Sequence, residues 1–432
     1  MIAAVNLFGA GLQPLYALAA WVVVVGALYF VARRASAVVA ARRQRAALAR
    51  AGSGAKPRRE RPRWLRRTTP FALILVALLL PPFEVFVLNS TQTLTVTFDV
   101  AAFAVLAVGL NIVVGYTGLL DLGYVAFYAV GAYTFGLLGS SQLAPLIHHT
   151  IYFLVPAGSG GEGLHISMWV VLPIAGLVAA IFGVIIGYPT LRLRGDYLAI
   201  VTLGFGEITR LFAQNLFQPV NITNGSFGIS QIDSIWLGNY NFGSAHEILG
   251  VNIPPYVNYY YVVLVVLLLT MFFVARLATS RVGRAWAAIR EDELAAEASG
   301  INTRNLKLLA YASGGFFGGM SGALFASAQD FISPESFGFT ISIFVLVMVV
   351  VGGMGNLYGV ILGAIAVGGA YFETGQFGQL RVLVFGILLV AMVILRPQGI
   401  LPSRIRQREL AAAELGPETV GKVAVEVPGG PT

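Results

Sequence analysis

Long apolar runs alternate along this chain with short polar ones, and the runs have the length of membrane spans. A hydrocarbon core about 30 Å thick is crossed by roughly 20 apolar residues in a helix. The pattern predicts such helices from Leu15 to Ala32, Pro70 to Leu88, Thr95 to Gly115, Leu119 to Leu138, Trp169 to Tyr188, Tyr197 to Phe217, Tyr259 to Arg276 and Leu308 to Ala328. Shorter runs follow from Ile341 to Gly352, Tyr358 to Phe372 and Val382 to Leu395. The expected fold is an all-α integral membrane protein, a polytopic bundle of about 11 helices. The pair Pro81 and Pro82 is expected to break or kink the second span.

Between Arg276 and Leu308 the pattern changes to a mixed-charge segment with helix signals, RVGRAWAAIREDELAAEASGINTRNLK, Arg281 to Lys307. Asp292 is placed to accept from the free N–H groups of a first helical turn, and Gly300 to take the left-handed conformation that ends a helix. A helix of about two turns is expected between them. On it Leu294, Ala295 and Ala298 form a small apolar face, while Glu293 and Glu297 share a polar one at the four-residue spacing. Two readings fit: a docking surface for a partner, or an amphipathic connector between two spans.

Composition agrees with the pattern. Apolar residues make up 57% of the 432 positions and charged residues 11%, against roughly 25% charge in a soluble domain. No room remains for a large soluble domain. Without cysteine, disulfide and thiol chemistry are excluded. The net charge is +8, and its placement sets orientation, because Lys and Arg collect on the cytoplasmic side. All of them except Arg210 and Arg381 fall in four stretches: Arg33 to Arg67, Arg192 and Arg194, Arg276 to Lys307, and Arg396 onward. That threading expects the N-terminus outside and the C-terminus in the cytoplasm. The first thirty residues lack the positive start of a cleavable signal peptide and carry arginines after the apolar run instead, so an uncleaved span is expected. Val38, Val39 and Leu48 lie on a basic stretch between two spans, a position that favours lipid over nucleic acid as its partner.

Two segments are rich in glycine for continuous spans: GLNIVVGYTGLLDLGYVAFYAVGAY, Gly109 to Tyr133, and VGGMGNLYGVILGAIAVGGAY, Val351 to Tyr371. Glycine lets helices approach closely, and lets a helix unwind where it lines a cavity. A matching pair in two halves points to a transporter pathway built from internal repeats. Gly115, Gly118, Asp121, Gly123, Gly352, Gly353 and Gly355 are the candidate pathway residues, and ordinary small-residue packing is the other reading. Asp99, Asp121, Glu207, Arg210 and Glu373 are ionisable groups in or near apolar runs, where charge is costly. Glu207 and Arg210, three apart, are expected to meet on one helical face and neutralise each other, whereas Asp99 and Asp121 suit span ends.

No catalytic or metal site is expected. His148, His149, His165 and His246 all fall in outer loops without convincing ligand spacing. The tail run from Gly416 to Val423 has P-loop glycine and lysine spacing, but it ends in valine where magnesium needs a hydroxyl, and it lacks the flanking strand and helix. Any ATP that drives this chain is bound by another one.

Four motifs in order carry a family resemblance: the Gly109 to Thr134 stretch, LRLRGDYLAIVTLGFGEITR at Leu191 to Arg210, AIREDELAAEASGIN at Ala288 to Asn302, and VVGGMGNLYGVILGA at Val350 to Ala364. Together they resemble the M-type permease subunit of the bacterial high-affinity branched-chain amino-acid ATP-binding-cassette importer. The resemblance implies a multi-pass protein of the bacterial inner membrane with a second, H-type permease. It also implies two cytoplasmic ATPase subunits holding ATP and Mg, a periplasmic substrate-binding protein, and no cofactor on this chain. The segment Asp292 to Gly300 resembles the coupling loop that docks on the ATPase. Ala295, Ala296 and Gly300 match its pattern, and the acidic residue is displaced to Glu293. The resemblance covers roughly 95–402, within an expected permease domain at 70–402 that follows an added span and basic loop at 1–69, and the alanine-, glycine- and proline-rich composition of 403–432 leads to the expectation of a flexible tail there. Importers of urea or short-chain amides have similar permeases, and an ion-coupled secondary transporter using Asp121 or Glu207 is a further alternative.

Overall fold

The computed structural model describes residues 91–373, apart from 148, 157–160, 194, 219 and 249–250, together with 77–78, 80–81, 383, 386–387, 390 and 399–401. The expected spans at 15–32, 70–88 and 382–395, the basic loop, His148, Arg194, Arg381 and the tail beyond 402 fall wholly or mostly outside these residues. Helix α1, Thr91–Leu110, runs on as a π-helical stretch, Asn111–Tyr116. After a break come α2 (Val125–Leu138), α3 (Met168–Thr190), α4 (Asp196–Asn215) and α5 (Pro255–Thr279). Next are two short helices, α6 (Arg281–Glu291) and α7 (Glu293–Ala298), and the long α8 (Thr303–Gln329). Helix α9, Phe339–Gly352, is followed by a second break and then by α10, Leu357–Gly363, which leads through a π-helical turn, Ala364–Gly368, into Gly369–Glu373.

Five helical segments among the described residues are long and apolar enough to cross a membrane: Thr93–Tyr116, Met168–Thr190, Pro255–Thr279, Thr303–Gln329 and Pro334–Gly352. Val125–Leu138 and Leu357–Phe372 are shorter apolar helices. The span expected from Leu119 therefore begins later, at Val125, because the backbone turns at Gly118 with a left-handed φ of +75°. Asp99 is also displaced from its expected place at a span end, since it lies inside α1.

Helix α8 is the hub. Gly314, Gly318 and Gly322 recur on it every four residues, with Gly315 and Gly319 on an adjoining row. A Cβ at Gly319 would meet the Ala175 carbonyl of α3 at 2.6 Å, and one at Gly315 would meet the Ala179 carbonyl at 2.9 Å. Lipid tails are as apolar as leucine, so membrane helices associate through close packing and interhelical hydrogen bonds rather than hydrophobic expulsion from water. The bonds are present too: Ser321 donates to the Ala102 carbonyl of α1 at 2.8 Å, and Tyr124 to the Gly314 carbonyl at 2.7 Å. The hairpin of α9 and α10 uses the same device, with Gly352 and Gly359 facing each other and Gly363 against the Met348 carbonyl.

At one end of the bundle short strands tie the loops together. Gly139–Ser140 pairs antiparallel with Leu164–Ile166, which pairs in parallel with Ile151–Phe153, and Ile229–Ser230 pairs antiparallel with Phe331–Ile332. Buried His165 contacts Asp233 at 2.7 Å and the Gly161 carbonyl at 2.9 Å. Burial pushes the Asp233 carboxyl up, and its His165 partner opposes that shift. Among the described residues no cluster of three His, Cys, Asp or Glu could hold a metal ion. Glu207 and Arg210 meet as expected, at 2.5 Å, and Arg210 also donates to Glu335 at 2.9 Å.

Candidate functional site

The opposite end carries the mixed-charge segment, and its local chemistry explains its shape. Ser280 caps α6 by accepting from the Gly283 N–H at 3.3 Å. Asp292 ends α6 in an extended conformation, φ −155°, and at once caps α7, accepting from the Ala295 N–H at 3.0 Å. The second stop is a Schellman closure: the Ile301 N–H returns to the Ala296 carbonyl at 3.1 Å and the Gly300 N–H to the Glu297 carbonyl at 2.9 Å. Gly300 sits at φ +82°, where a side chain would be strained. The two-turn helix expected between Asp292 and Gly300 is therefore present, with both of its expected stops.

Its faces are now assigned. Leu294 is 62% exposed, and Ala295, Glu297 and Ala298 are exposed beside it, so the small apolar face points away from the protein. Ala296 points inward and is buried. Glu293 is turned back to Lys307, which donates to its carboxylate at 2.5 Å from a site only 4% exposed. Buried Trp286 of α6 donates from its indole N–H to the Leu306 carbonyl at 2.8 Å. These two contacts clamp α6 and α7 to the base of α8. Arg304 in turn stacks over the Tyr188 ring at the end of α3, 4.1 Å from its centroid.

The two glycine-rich stretches converge beside this knot. In the first, α1 ends with Thr117 donating to the Val113 carbonyl at 2.5 Å and the Leu119 N–H folding back to the same carbonyl at 3.2 Å. A π-helical turn and a break inside a span are recurrent marks of functional positions. Asp121 is buried and accepts from the Gly123 N–H at 2.8 Å. The next amide, of Leu122, donates to Thr202 of α4 at 3.1 Å. Ser342 of α9 accepts from the Val125 N–H at 3.1 Å, serving one of the free donors at the start of α2. Gly123 presses on the Thr202 carbonyl, a place with no room for a Cβ. Among the described residues Asp121 has no salt-bridge partner.

In the second break Gly353 and Gly355 both have positive φ, +112° and +80°. The Gly355 N–H donates to the Asn111 side-chain carbonyl at 2.8 Å, and a Cβ on Gly115 would meet the same N–H nitrogen at 2.6 Å. Asn356 begins α10 and donates to the Leu401 carbonyl at 3.0 Å. Of the seven pathway candidates, Gly115, Gly118, Asp121, Gly123, Gly353 and Gly355 thus lie at the two breaks, while Gly352 packs the α9–α10 hairpin. From the knot, Arg290 of α6 reaches the first break, where its guanidinium donates to the Gly115 carbonyl.

A family model described as the permease component of branched-chain amino acid transport systems matches residues 92–393. The chain belongs to this family. It is 41% identical over 350 residues to the high-affinity branched-chain amino acid transport system permease protein LivM of Escherichia coli (strain K12), covering 78% of this chain and 76% of that relative. A probable LivM of Methanocaldococcus jannaschii is 24% identical, covering 70% of this chain and 91% of its own length. The corresponding LivH permease of E. coli K12 is 25% identical over the same two shares. No solved structure matches. Membership makes this chain a transport component of the membrane rather than an enzyme, and it accounts for the four motifs that first suggested the resemblance.

The permease family is legible in those motifs, but several residues that build the site are not. Nothing in the sequence marks Asn111, Thr202 and Ser342, and Arg290 and Lys307 stand there only as two of several charges in the mixed segment. The available signal was a polar side chain inside an apolar run, since such a group must find a partner. Asn111 fits that description.

Proposed function

We propose that this chain is one permease subunit of an ATP-binding-cassette importer that moves leucine, isoleucine or valine inward across the bacterial inner membrane. Its partners in this reading are a second permease of the H type, two cytoplasmic ATPases that hold ATP and Mg, and a periplasmic binding protein. About eleven spans, with the N-terminus outside and the C-terminus in the cytoplasm, complete the arrangement. An N-terminal span and basic loop at 1–69 precede the permease domain at 70–402, with a tail at 403–432, and the two glycine-broken segments are matching parts of an internal repeat.

One observation carries the mechanism: α7 is a doubly capped helix that exposes Leu294, Ala295 and Ala298 and is clamped by Glu293 and Lys307 to a span. Such a helix offers an outward docking face and a rigid inward connection. Closure of the ATPase dimer shifts it, and the junction of the two breaks changes between two packings around the pathway. The apolar character of the spans suits branched aliphatic side chains. The relatives named for branched-chain amino acids support that cargo over urea or amides.

The cysteine-free chain makes the docking face directly testable. Leu294→Cys in the complex is expected to cross-link to an ATPase subunit, with Ala296→Cys, which faces inward, unreactive. Cross-linking at Ala296 and none at Leu294 contradicts the docking face.

A further inference from the structure

We infer that Arg290 is the residue through which movement of α7 reaches the transport pathway, a positioning role that deepens the importer reading and rests on it. Helix α1 ends inside the bundle, and the last carbonyls of a helix have no partner within it. They also carry the negative end of the helix dipole, and where water is excluded such groups must be satisfied by other parts of the protein. Arg290 supplies a donor and a positive charge there, bonding to the Gly115 carbonyl within the π-helical stretch.

Placement makes this contact more than a cap. Arg290 stands two residues before Asp292, the single extended residue that joins α6 to α7. Behind it, Trp286 holds α6 to Leu306, and Glu293 beyond the joint holds α7 to Lys307. A push on α7 therefore moves α6 with it. The stem of Arg290 lies along Gly118, with its Cγ 3.0 Å from where a Cβ would stand, so the backbone of the break is in direct contact with the side chain. From the same π-helical stretch Asn111 bonds to Gly355, and a displacement at Gly115 is thereby felt in the second break. The chain of contacts runs from α7 through Arg290 to both breaks.

The test uses Arg290→Ala and Arg290→Lys in the complex of this chain with its second permease and ATPases, reconstituted with leucine and the binding protein. Both variants are expected to retain the ATPases and hydrolyse ATP. In Arg290→Ala the leucine moved per ATP falls about fivefold or more, the low end of allosteric coupling. Arg290→Lys recovers part of the ratio, because an ammonium supplies charge and a donor without the planar fork. An unchanged ratio in Arg290→Ala overturns the relay. Loss of ATPase binding in both variants also overturns it, by making the residue structural. Leucine uptake by the unmodified complex without ATP removes the importer reading itself, a failure visible before any variant is made.

Discussion

The backbone N–H of Gly355 donates to the side-chain carbonyl of Asn111 at 2.8 Å, joining two helix breaks that lie 244 residues apart in the chain. This bond ties the two breaks directly to each other. Gly355 is held at φ +80° with its N–H aimed at α1, and Asn111 is buried where α1 becomes a π-helix.

Asn111→Leu removes the acceptor and leaves the Gly355 N–H in an apolar setting. Losing the partner of a buried donor costs about 1–3 kcal/mol. The purified variant is expected to unfold at lower temperature and to transport less, with ATPase binding retained. A melting temperature equal to that of the unmodified protein contradicts the junction's importance.

Gly118→Ala puts a side chain on a left-handed residue, at a cost of roughly 1–2 kcal/mol, and its Cβ would stand 3.0 Å from Arg290 Cγ. Transport is expected to drop while the ATPases still co-purify. Loss of co-purification instead would assign this glycine to assembly.

Gly300→Val strains the residue that closes α7. Space is open around it, so the effect comes from the backbone, at φ +82°. The expected outcome is continued ATP hydrolysis with less leucine moved per ATP, and coupled uptake at the unmodified level would refute the role of this helix stop.

Glu293→Ala takes the acceptor from the nearly buried Lys307 amine, and because Glu293 is itself 29% exposed the cost is that of one lost buried partner, roughly 1–3 kcal/mol. The double change Glu293→Leu with Lys307→Met replaces the pair by apolar groups and is expected to recover most of the stability. Denaturant unfolding in detergent measures both. A double variant as unstable as the single one would show that more than the buried charge is at stake.

Sequence pattern revealed the parts of this protein ruled by short-range physics. Five spans among the described residues follow from apolar run length, and the α7 stops follow from the chemistry of Asp292 and Gly300, which act on neighbours within three residues. The ion pair of Glu207 and Arg210 followed from helical spacing. What escaped were partnerships set by packing. Nothing local says that Glu293 turns back to Lys307, that Ser342 serves the first turn of α2, or that Asn111 meets Gly355. The stripe of glycines on α8 was equally readable as apolar filler, and its role as hub emerges only when α1, α2 and α3 close around it. The late start of α2 is hidden in the sequence because Leu119 and Leu120 continue the apolar run, while the break is decided by the backbone at Gly118.

The most direct test of the importer account is uptake of radiolabelled leucine into proteoliposomes holding this chain, its second permease and the ATPase subunits. The binding protein is supplied on one side and ATP on the other. Uptake that requires ATP, the ATPases and the binding protein, and that competes with isoleucine and valine, is the predicted result. Uptake by this chain alone, driven by an ion gradient and abolished by substitution of Asp121, would contradict it.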